Sequence, residues 1–185
     1  IEKQLDFLSL EDKEKVMDIL SHELGYQSRP AESKSNVFSS LLRFSQIQLI
    51  DGPLEWEEAT RTCADPLIEN GSIQQEYVDL MIQNVKELGF YSVTDRSFAM
   101  LHGKANVGVN QTCLSLLISQ APIHFGDKQT KVIFCLAAKN SKEHIPAVVS
   151  LMRMVKTTSL IPDLENSHTV EEVYQHIITH EYEAS

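Results

Sequence analysis

The stretch Ser97-Phe98-Ala99-Met100-Leu101-His102-Gly103-Lys104 carries a short apolar run directly into a histidine and a glycine. The run predicts a strand with His102 at its end. Gly103 leaves the backbone free to turn beside the imidazole and lets a bulky group come close. Because histidine is a nucleophile that is largely neutral at cellular pH, His102 is a candidate catalytic residue. Taken alone, the same pattern also describes many structural histidines.

A second stretch gives this histidine a possible partner. Residues 132–138 are continuously apolar, which predicts an inner strand covered on both faces. Pro146 then places His144 at the start of a helix, because proline is tolerated in a helix's first turn. Helix N-termini suit phosphate, and ligands collect outside the carboxyl ends of strands. His102 and His144 could therefore share one phosphate, one as nucleophile and the other as a donor to its oxygens.

The order of elements along the chain predicts the fold class. Helical patterns come first, then strand-like runs, then helices again, so we expect an α/β fold with a mixed sheet of about five strands and helices on both faces. The strand-like runs cover residues 46–50, 91–93, 98–101, 112–119 and 131–138, and His124 is predicted in a turn between the last two. A helix over 9–25 and a polar linker divide the chain into an N-terminal appendage, residues 1–36, and a main domain, residues 37–185.

Composition restricts the function classes. The 185 residues carry a net charge of −10, which disfavours direct contact with nucleic acid. No apolar run approaches the roughly 18 residues of a membrane span, and the N-terminus does not resemble a secretory signal. Cys63, Cys113 and Cys135 are odd in number and far apart, which predicts buried thiols in a reducing cytoplasm.

The sequence predicts no metal or other cofactor. A metal site is suggested by three histidines near the C-terminus, His168, His176 and His180, because the last two are four residues apart in a predicted helix. They lack an identifiable third ligand and the HExxH order, and the cysteines form no CxxC pair.

Seven motifs in a fixed order over about residues 42–180 carry a family resemblance. They are Ile47-Gln-Leu-Ile50; Trp56-Glu-Glu-Ala59 running to Pro66-Leu-Ile-Glu-Asn-Gly71; Tyr77-Val-Asp-Leu-Met81; Glu87-Leu-Gly89 with Tyr91; Ala99-Met-Leu-His-Gly103; Ile123-His-Phe-Gly-Asp127; and Ala137-Ala-Lys139 with Glu143-His144. In these motifs the sequence resembles the mannitol/fructose-type enzyme IIA domains of the phosphoenolpyruvate-dependent sugar phosphotransferase system. The Glu-Leu-Gly-x-Tyr segment resembles the ascorbate-type branch more than the mannitol branch.

The resemblance implies a mannitol-type enzyme IIA fold and assigns roles to site residues. His102 would accept a phosphoryl group from the carrier HPr, and His144 would be the partner histidine that stabilises it. Gly103 and Lys139 would lie against the phosphoryl group, although a lysine at a strand end is as readily solvated. The group could then pass to a cysteine of an enzyme IIB partner. Leu101 departs from the family, which usually has proline before the active histidine.

Two roles remain open for such a domain, besides a binding module that is never phosphorylated. The favoured one is the C-terminal enzyme IIA-like domain of a transcriptional activator or antiterminator, in which phosphohistidine is a signal. The alternative is a catalytic phosphocarrier subunit that serves sugar uptake. The first role is favoured by the lack of a starting Met, by the residues ahead of the family's usual start, and by Leu101 where a carrier is expected to keep proline.

Overall fold

The computed structural model describes residues 36–90, 92–94 and 97–185. The predicted helix over 9–25 and nearly all of the predicted linker lie outside the described residues, so the division at residue 36 stays a prediction. Two short 3-10 turns, Ser39–Leu41 and Phe44–Gln46, precede the main elements. The main elements are β1 (Ile47–Ile50), α1 (Trp56–Glu69), α2 (Gln75–Leu88), β2 (Phe98–Leu101), β3 (Cys113–Phe125), β4 (Lys128–Ala137), α3 (Ile145–Thr157), α4 (Leu160–Glu165) and α5 (Val170–Glu183).

The four strands form one mixed sheet in the order β1-β3-β4-β2. Strands β3 and β4 form an antiparallel hairpin at its centre, while β1 runs parallel to β3 and β2 runs parallel to β4. The register of the last pair aligns Leu101 with Cys135. Because β4 is buried on both faces from Val132 onward, its sequence reads as a continuous apolar run, as predicted.

Helices cover both faces of the sheet, which confirms the predicted α/β class. Alternate residues of β4 enter different cores: Phe134 and Leu136 face α3, α4 and α5, while Ile133 and Cys135 face α1 and α2. The Phe134 ring lies at the centre of the first core, 5.8 Å from the Phe38 ring and 5.9 Å from the Phe98 ring. Both contacts are edge-to-face, the geometry that aromatic quadrupoles favour.

The sheet has four strands in the described residues, compared with about five predicted. The predicted strand over 91–93 is reduced to a single bridge between Val93 and Ala99. Two backbone hydrogen bonds flank the bridge, from Met100 N to the Ser92 carbonyl and from Thr94 N to the Phe98 carbonyl. This short segment therefore caps the outer edge of β2 without extending into a ladder of its own.

The prediction that His124 lies in a turn was wrong. His124 is an exposed residue of β3, where it pairs with Gln129 of β4 and bridges to Glu55. A two-residue turn, Gly126-Asp127, closes the hairpin with Gly126 at a φ of 65°. Two-residue turns of this kind match the twist of the paired strands, so β3 and β4 stay paired right up to the turn.

The start of α5 agrees with a local capping signal in the sequence. Thr169 caps α5 by accepting from the Glu172 backbone N–H, and the Glu172 side chain accepts from the Thr169 backbone N–H, as in a capping box.

Within the described ranges, no helix combines the length and the apolar character that crossing a bilayer requires.

We expect Phe134→Ala to lower the free energy of unfolding by about 3–5 kcal/mol, because it removes a fully buried ring and leaves a cavity between two aromatic neighbours. Urea denaturation measures this loss. The control is Leu88→Ala at the end of α2, where the side chain is 70% exposed, and we expect a change within about 0.5 kcal/mol. Similar losses in the two variants would contradict the buried position of Phe134 between its aromatic neighbours.

Candidate functional site

The two candidate histidines leave the same edge of the sheet. Strands β2 and β4 are parallel, so their carboxyl ends lie side by side. His102 follows β2 directly, and His144 is the N-terminal cap of α3, beyond the end of β4. The loop after β2 is held against the end of β4, because Asn106 N donates to the Ala138 carbonyl at 3.1 Å. The predicted placement of His144 at a helix start is confirmed.

The ring of His102 is half-buried, and one of its nitrogens faces the backbone. Its Nδ1 lies 3.4 Å from the backbone carbonyl oxygen of Met100. Since a carbonyl oxygen only accepts, this long contact is a hydrogen bond in the tautomer that carries its proton on Nδ1. In that tautomer the lone pair of the neutral ring is on Nε2.

Tyr77 of α2 links the His102 loop to the neighbouring strand. Its hydroxyl accepts a hydrogen bond from Gly103 N at 2.7 Å and donates one to the Leu136 carbonyl at 2.9 Å. The Tyr77 side chain is fully buried, so both bonds are shielded from water. One buried hydroxyl thus fixes the backbone beside His102 relative to β4.

The requirement for glycine at position 103 comes from this tyrosine. A Cβ atom at Gly103 would lie 2.8 Å from Cε2 of the Tyr77 ring, closer than real Cβ contacts. Gly103 is not among the residues with positive φ. The glycine therefore serves the close approach of a bulky group, one of the two roles expected from the sequence.

The segment between β4 and His144 is held by a group of short hydrogen bonds. Asn140 Oδ1 accepts from the backbone N–H groups of Lys142 and Glu143, and Asn140 Nδ2 donates to Glu143. Thr112, which precedes β3, donates from its hydroxyl to Glu143 at 2.6 Å and accepts from Lys139 N at 3.1 Å. These bonds fix the path of the chain into the N-terminus of α3.

Charge at this edge is arranged around Glu143. Hydrogen bonds from Thr112 and Asn140 lower the pKa of the Glu143 carboxyl, so it stays ionised next to the helix start. His144 itself is buried, with 7% exposure. The side chain of Lys139 is exposed at the end of β4, so its contact with a phosphoryl group stays a prediction.

The cysteines are buried and free, as predicted. Burial raises the pKa of Cys63 and of Cys113 to about 12, and it raises the pKa of Cys135 well above the ordinary value. Because only the thiolate is an effective nucleophile, these thiols are unreactive at neutral pH.

The sequence predicts that His102, Gly103, Lys139 and His144 lie in one region, but it does not predict the contacts of three residues that hold the region together. Tyr77 stands in one of the family motifs, and no role was predicted for its hydroxyl. A buried tyrosine usually needs a polar partner, so that hydroxyl was a usable signal. Thr112 and Glu143 gave no such signal, because their contact joins segments 31 residues apart.

The architecture is that of an α/β domain in which two histidine-bearing segments leave one edge of the sheet. The family described as "Phosphoenolpyruvate-dependent sugar phosphotransferase system, EIIA 2" matches residues 40–180. The match covers most of the chain, and the chain belongs to this family.

Similar proteins come from both branches considered in the sequence. An ascorbate-specific PTS system EIIA component of Mycoplasma pneumoniae is 28% identical over 113 residues, 60% of this chain and 71% of the relative. The crystal structure of IIA mannitol from Escherichia coli is 26% identical, with a TM-score of 0.64 over 74% of this chain and 98% of that one. A complex of enzyme IIAMTL with phosphorylated enzyme IIBMTL from Escherichia coli shares the fold, with a TM-score of 0.65, 24% identity, and coverage of 75% and 97%.

We expect Tyr77→Phe to speed amide hydrogen exchange at Gly103 and to lower the free energy of unfolding by about 1–3 kcal/mol, because a buried donor and a buried acceptor both lose their partner. Exchange measured by NMR and urea denaturation test the two effects. Tyr174→Phe on α5 is the matched control, and we expect it to leave Gly103 exchange unchanged. Equal exchange in all three proteins would show that Tyr77 does not hold the loop.

Proposed function

We propose that this domain accepts a phosphoryl group from phospho-HPr on Nε2 of His102. The observation that carries the proposal is the contact of His102 Nδ1 with the Met100 carbonyl, which leaves the lone pair of the neutral ring on Nε2. Membership of the enzyme IIA family supports the same role. The acidic chain, with a net charge of −10, suits a basic protein donor and disfavours nucleic acid.

The transfer is a substitution at phosphorus. The Nε2 lone pair of His102 forms a new N–P bond while the N–P bond of phospho-HPr breaks, and the electron pair of that bond returns to the donor's imidazole. His102 keeps its Nδ1 proton throughout, held by the Met100 carbonyl. Because phosphoryl transfer has a loose transition state, the protein contributes mainly by positioning and charge stabilisation. It needs no cofactor.

In this proposal His144 and backbone N–H groups stabilise the phosphoryl oxygens. His144 caps α3, so it lies where the helix's unpaired N–H groups and partial positive charge are located. Gly103 lets the chain stay close to Tyr77, and Lys139 supplies a further positive charge at the end of β4. The hydrogen bonds of Thr112, Asn140 and Glu143 keep His144 in place for that task.

We propose a regulatory role for the phosphohistidine, as the enzyme IIA-like domain of a transcriptional activator or antiterminator in the cytoplasm. Leu101 supports this role. It is the last residue of β2 and is 1% exposed, where a proline would fix the backbone before the active histidine. Looser positioning of His102 slows phosphoryl transfer. A slow transfer is acceptable in a regulatory domain, because its signal depends on the fraction of His102 that is phosphorylated and less on the rate of phosphoryl exchange.

The second candidate is a phosphocarrier subunit that passes the group to an enzyme IIB cysteine. The names of the similar proteins favour it, since one is an ascorbate-specific EIIA component. A protein of the same fold forms a complex with phosphorylated enzyme IIB. In this role His102 would donate its phosphoryl group to a thiolate of the partner.

We expect incubation with phosphoenolpyruvate, enzyme I and HPr to add one acid-labile phosphoryl group to the wild-type chain and none to His102→Ala. Intact-mass analysis measures the addition. His144→Gln keeps the acceptor but loses a donor to the oxygens, so we expect labelling about 10²–10³-fold slower. His124→Gln is the control, because this histidine is exposed on β3. Full labelling of His102→Ala would refute the assignment.

We expect the phosphorylated chain to lose its label slowly when an ascorbate-type or mannitol-type enzyme IIB is added, because a regulatory domain has no need for fast discharge. The decay of the phosphorylated mass is the measurement, and Leu101→Pro is the matched variant, expected to discharge faster because proline fixes the backbone before His102. Rapid discharge of the wild-type chain would favour the carrier role instead.

A further inference from the structure

A second group of histidines lies on α4 and α5, away from the residues proposed for phosphoryl transfer. Asp163 of α4 and His176 and His180 of α5 each direct one ligand atom inward, and these atoms all lie within 4.8 Å of one another. The sequence alone shows no third ligand beside the α5 histidines. Asp163 is that ligand, and the end of α4, a loop and the first half of α5 separate it from His176.

The geometry of the two histidines follows from the helix. Residues four apart project from the same face, and the two rings lie nearly parallel with centroids 6.1 Å apart. His180 is buried, with 6% exposure, and its Nε2 lies 2.7 Å from Oδ2 of Asp163. His176 is half-exposed, which leaves one side of the group open to water.

The surroundings of this group resemble those of metal ligands: a carboxylate lies near the far nitrogen of His180, and a hydroxyl is hydrogen-bonded to Asp163. Oε2 of Glu183 lies 3.4 Å from Nδ1 of His180, on the opposite side of the ring from Asp163. A carboxylate behind a ligating histidine is a common arrangement at metal sites, because it holds the proton on the far nitrogen. The Ser159 hydroxyl donates to Asp163 Oδ2 at 2.8 Å and fixes the orientation of that carboxylate.

The chemistry of the three side chains also suits a metal. The group offers a carboxylate oxygen and two imidazole nitrogens, the ligand types that Zn²⁺ accepts.

We propose that Asp163, His176 and His180 form a binding site for a divalent transition metal of the Zn²⁺ type, with water at a fourth position. Bonds of about 2.0–2.2 Å in a tetrahedral site place the ligand atoms roughly 3.3 Å apart. Here Nε2 of His180 lies 2.7 Å from Oδ2 of Asp163, and the ligand atoms of the group all lie within 4.8 Å of one another, so side-chain rotations would bring them to that spacing.

Besides these rotations, metal binding requires a tautomer change in His180. Its Nε2 now shares a proton with Asp163, and with metal on Nε2 the proton of the neutral ring moves to Nδ1, facing Glu183. The metal would then join the short helix α4 to α5. Helix α5 in turn holds the first described residues, because Glu181 accepts from the backbone N–H groups of Phe38 and Ser39.

Titration of the metal-free chain with ZnCl₂, followed by calorimetry, tests the site. We expect one strongly bound Zn²⁺ per chain, and a loss of affinity in His176→Gln greater than the 10–100-fold typical of an outer partner. His168→Gln is the matched control, because His168 is exposed and lies outside the group. His102→Ala separates this site from the phosphoryl site and should also bind normally.

A second readout keeps the result independent of folding. We expect Zn²⁺ to raise the melting temperature of the wild type and of His168→Gln, but not that of His176→Gln. Glu183→Gln should weaken Zn²⁺ binding by about 10–100-fold while leaving one site per chain. No stoichiometric binding by the wild type, unchanged binding by His176→Gln, or loss of binding in His102→Ala would each overturn the proposal.

Discussion

The parallel pairing of β2 with β4 is the constraint on which the candidate site depends. With Leu101 opposite Cys135, both strands end at the same edge, and the chain leaves each of them through a histidine-bearing segment. An antiparallel pair would send the two carboxyl ends to opposite edges. Strand β3 runs the other way, so its start reaches this edge too, and Thr112 can contact Glu143 there.

Two separate sets of hydrogen bonds make this edge rigid. Tyr77 reaches it from the α1 and α2 side of the sheet and fixes the backbone after His102. Thr112 and Glu143 fix the segment that leads to His144. Since loose positioning is costly in phosphoryl transfer, holding each histidine segment to the sheet is a direct contribution to the proposed chemistry.

The surroundings of the histidines divide them into two chemical kinds. Nδ1 of His102 lies 3.4 Å from an uncharged backbone carbonyl, a contact that suits the nucleophile proposed for this position. Nε2 of His180 lies 2.7 Å from Asp163 and its Nδ1 lies 3.4 Å from Glu183, so carboxylates are near both ring nitrogens. Histidine is therefore proposed in two roles, as a nucleophile at the sheet edge (His102) and as a metal ligand between α4 and α5 (His180).

The sequence by itself determined the features that depend on neighbouring residues: the apolar strands, the start of α3 after His144, and the capping box of α5. It also brought out the histidine pair, because strand ends and helix starts have local signals. Only the tertiary structure decided the four-stranded pairing, the placement of His124 in a strand, the hydroxyl contacts of Tyr77 and the approach of Asp163 to the α5 histidines. Each of these joins distant parts of the chain, and their register is set by packing of the whole sheet and its helices, which local periodicity does not encode.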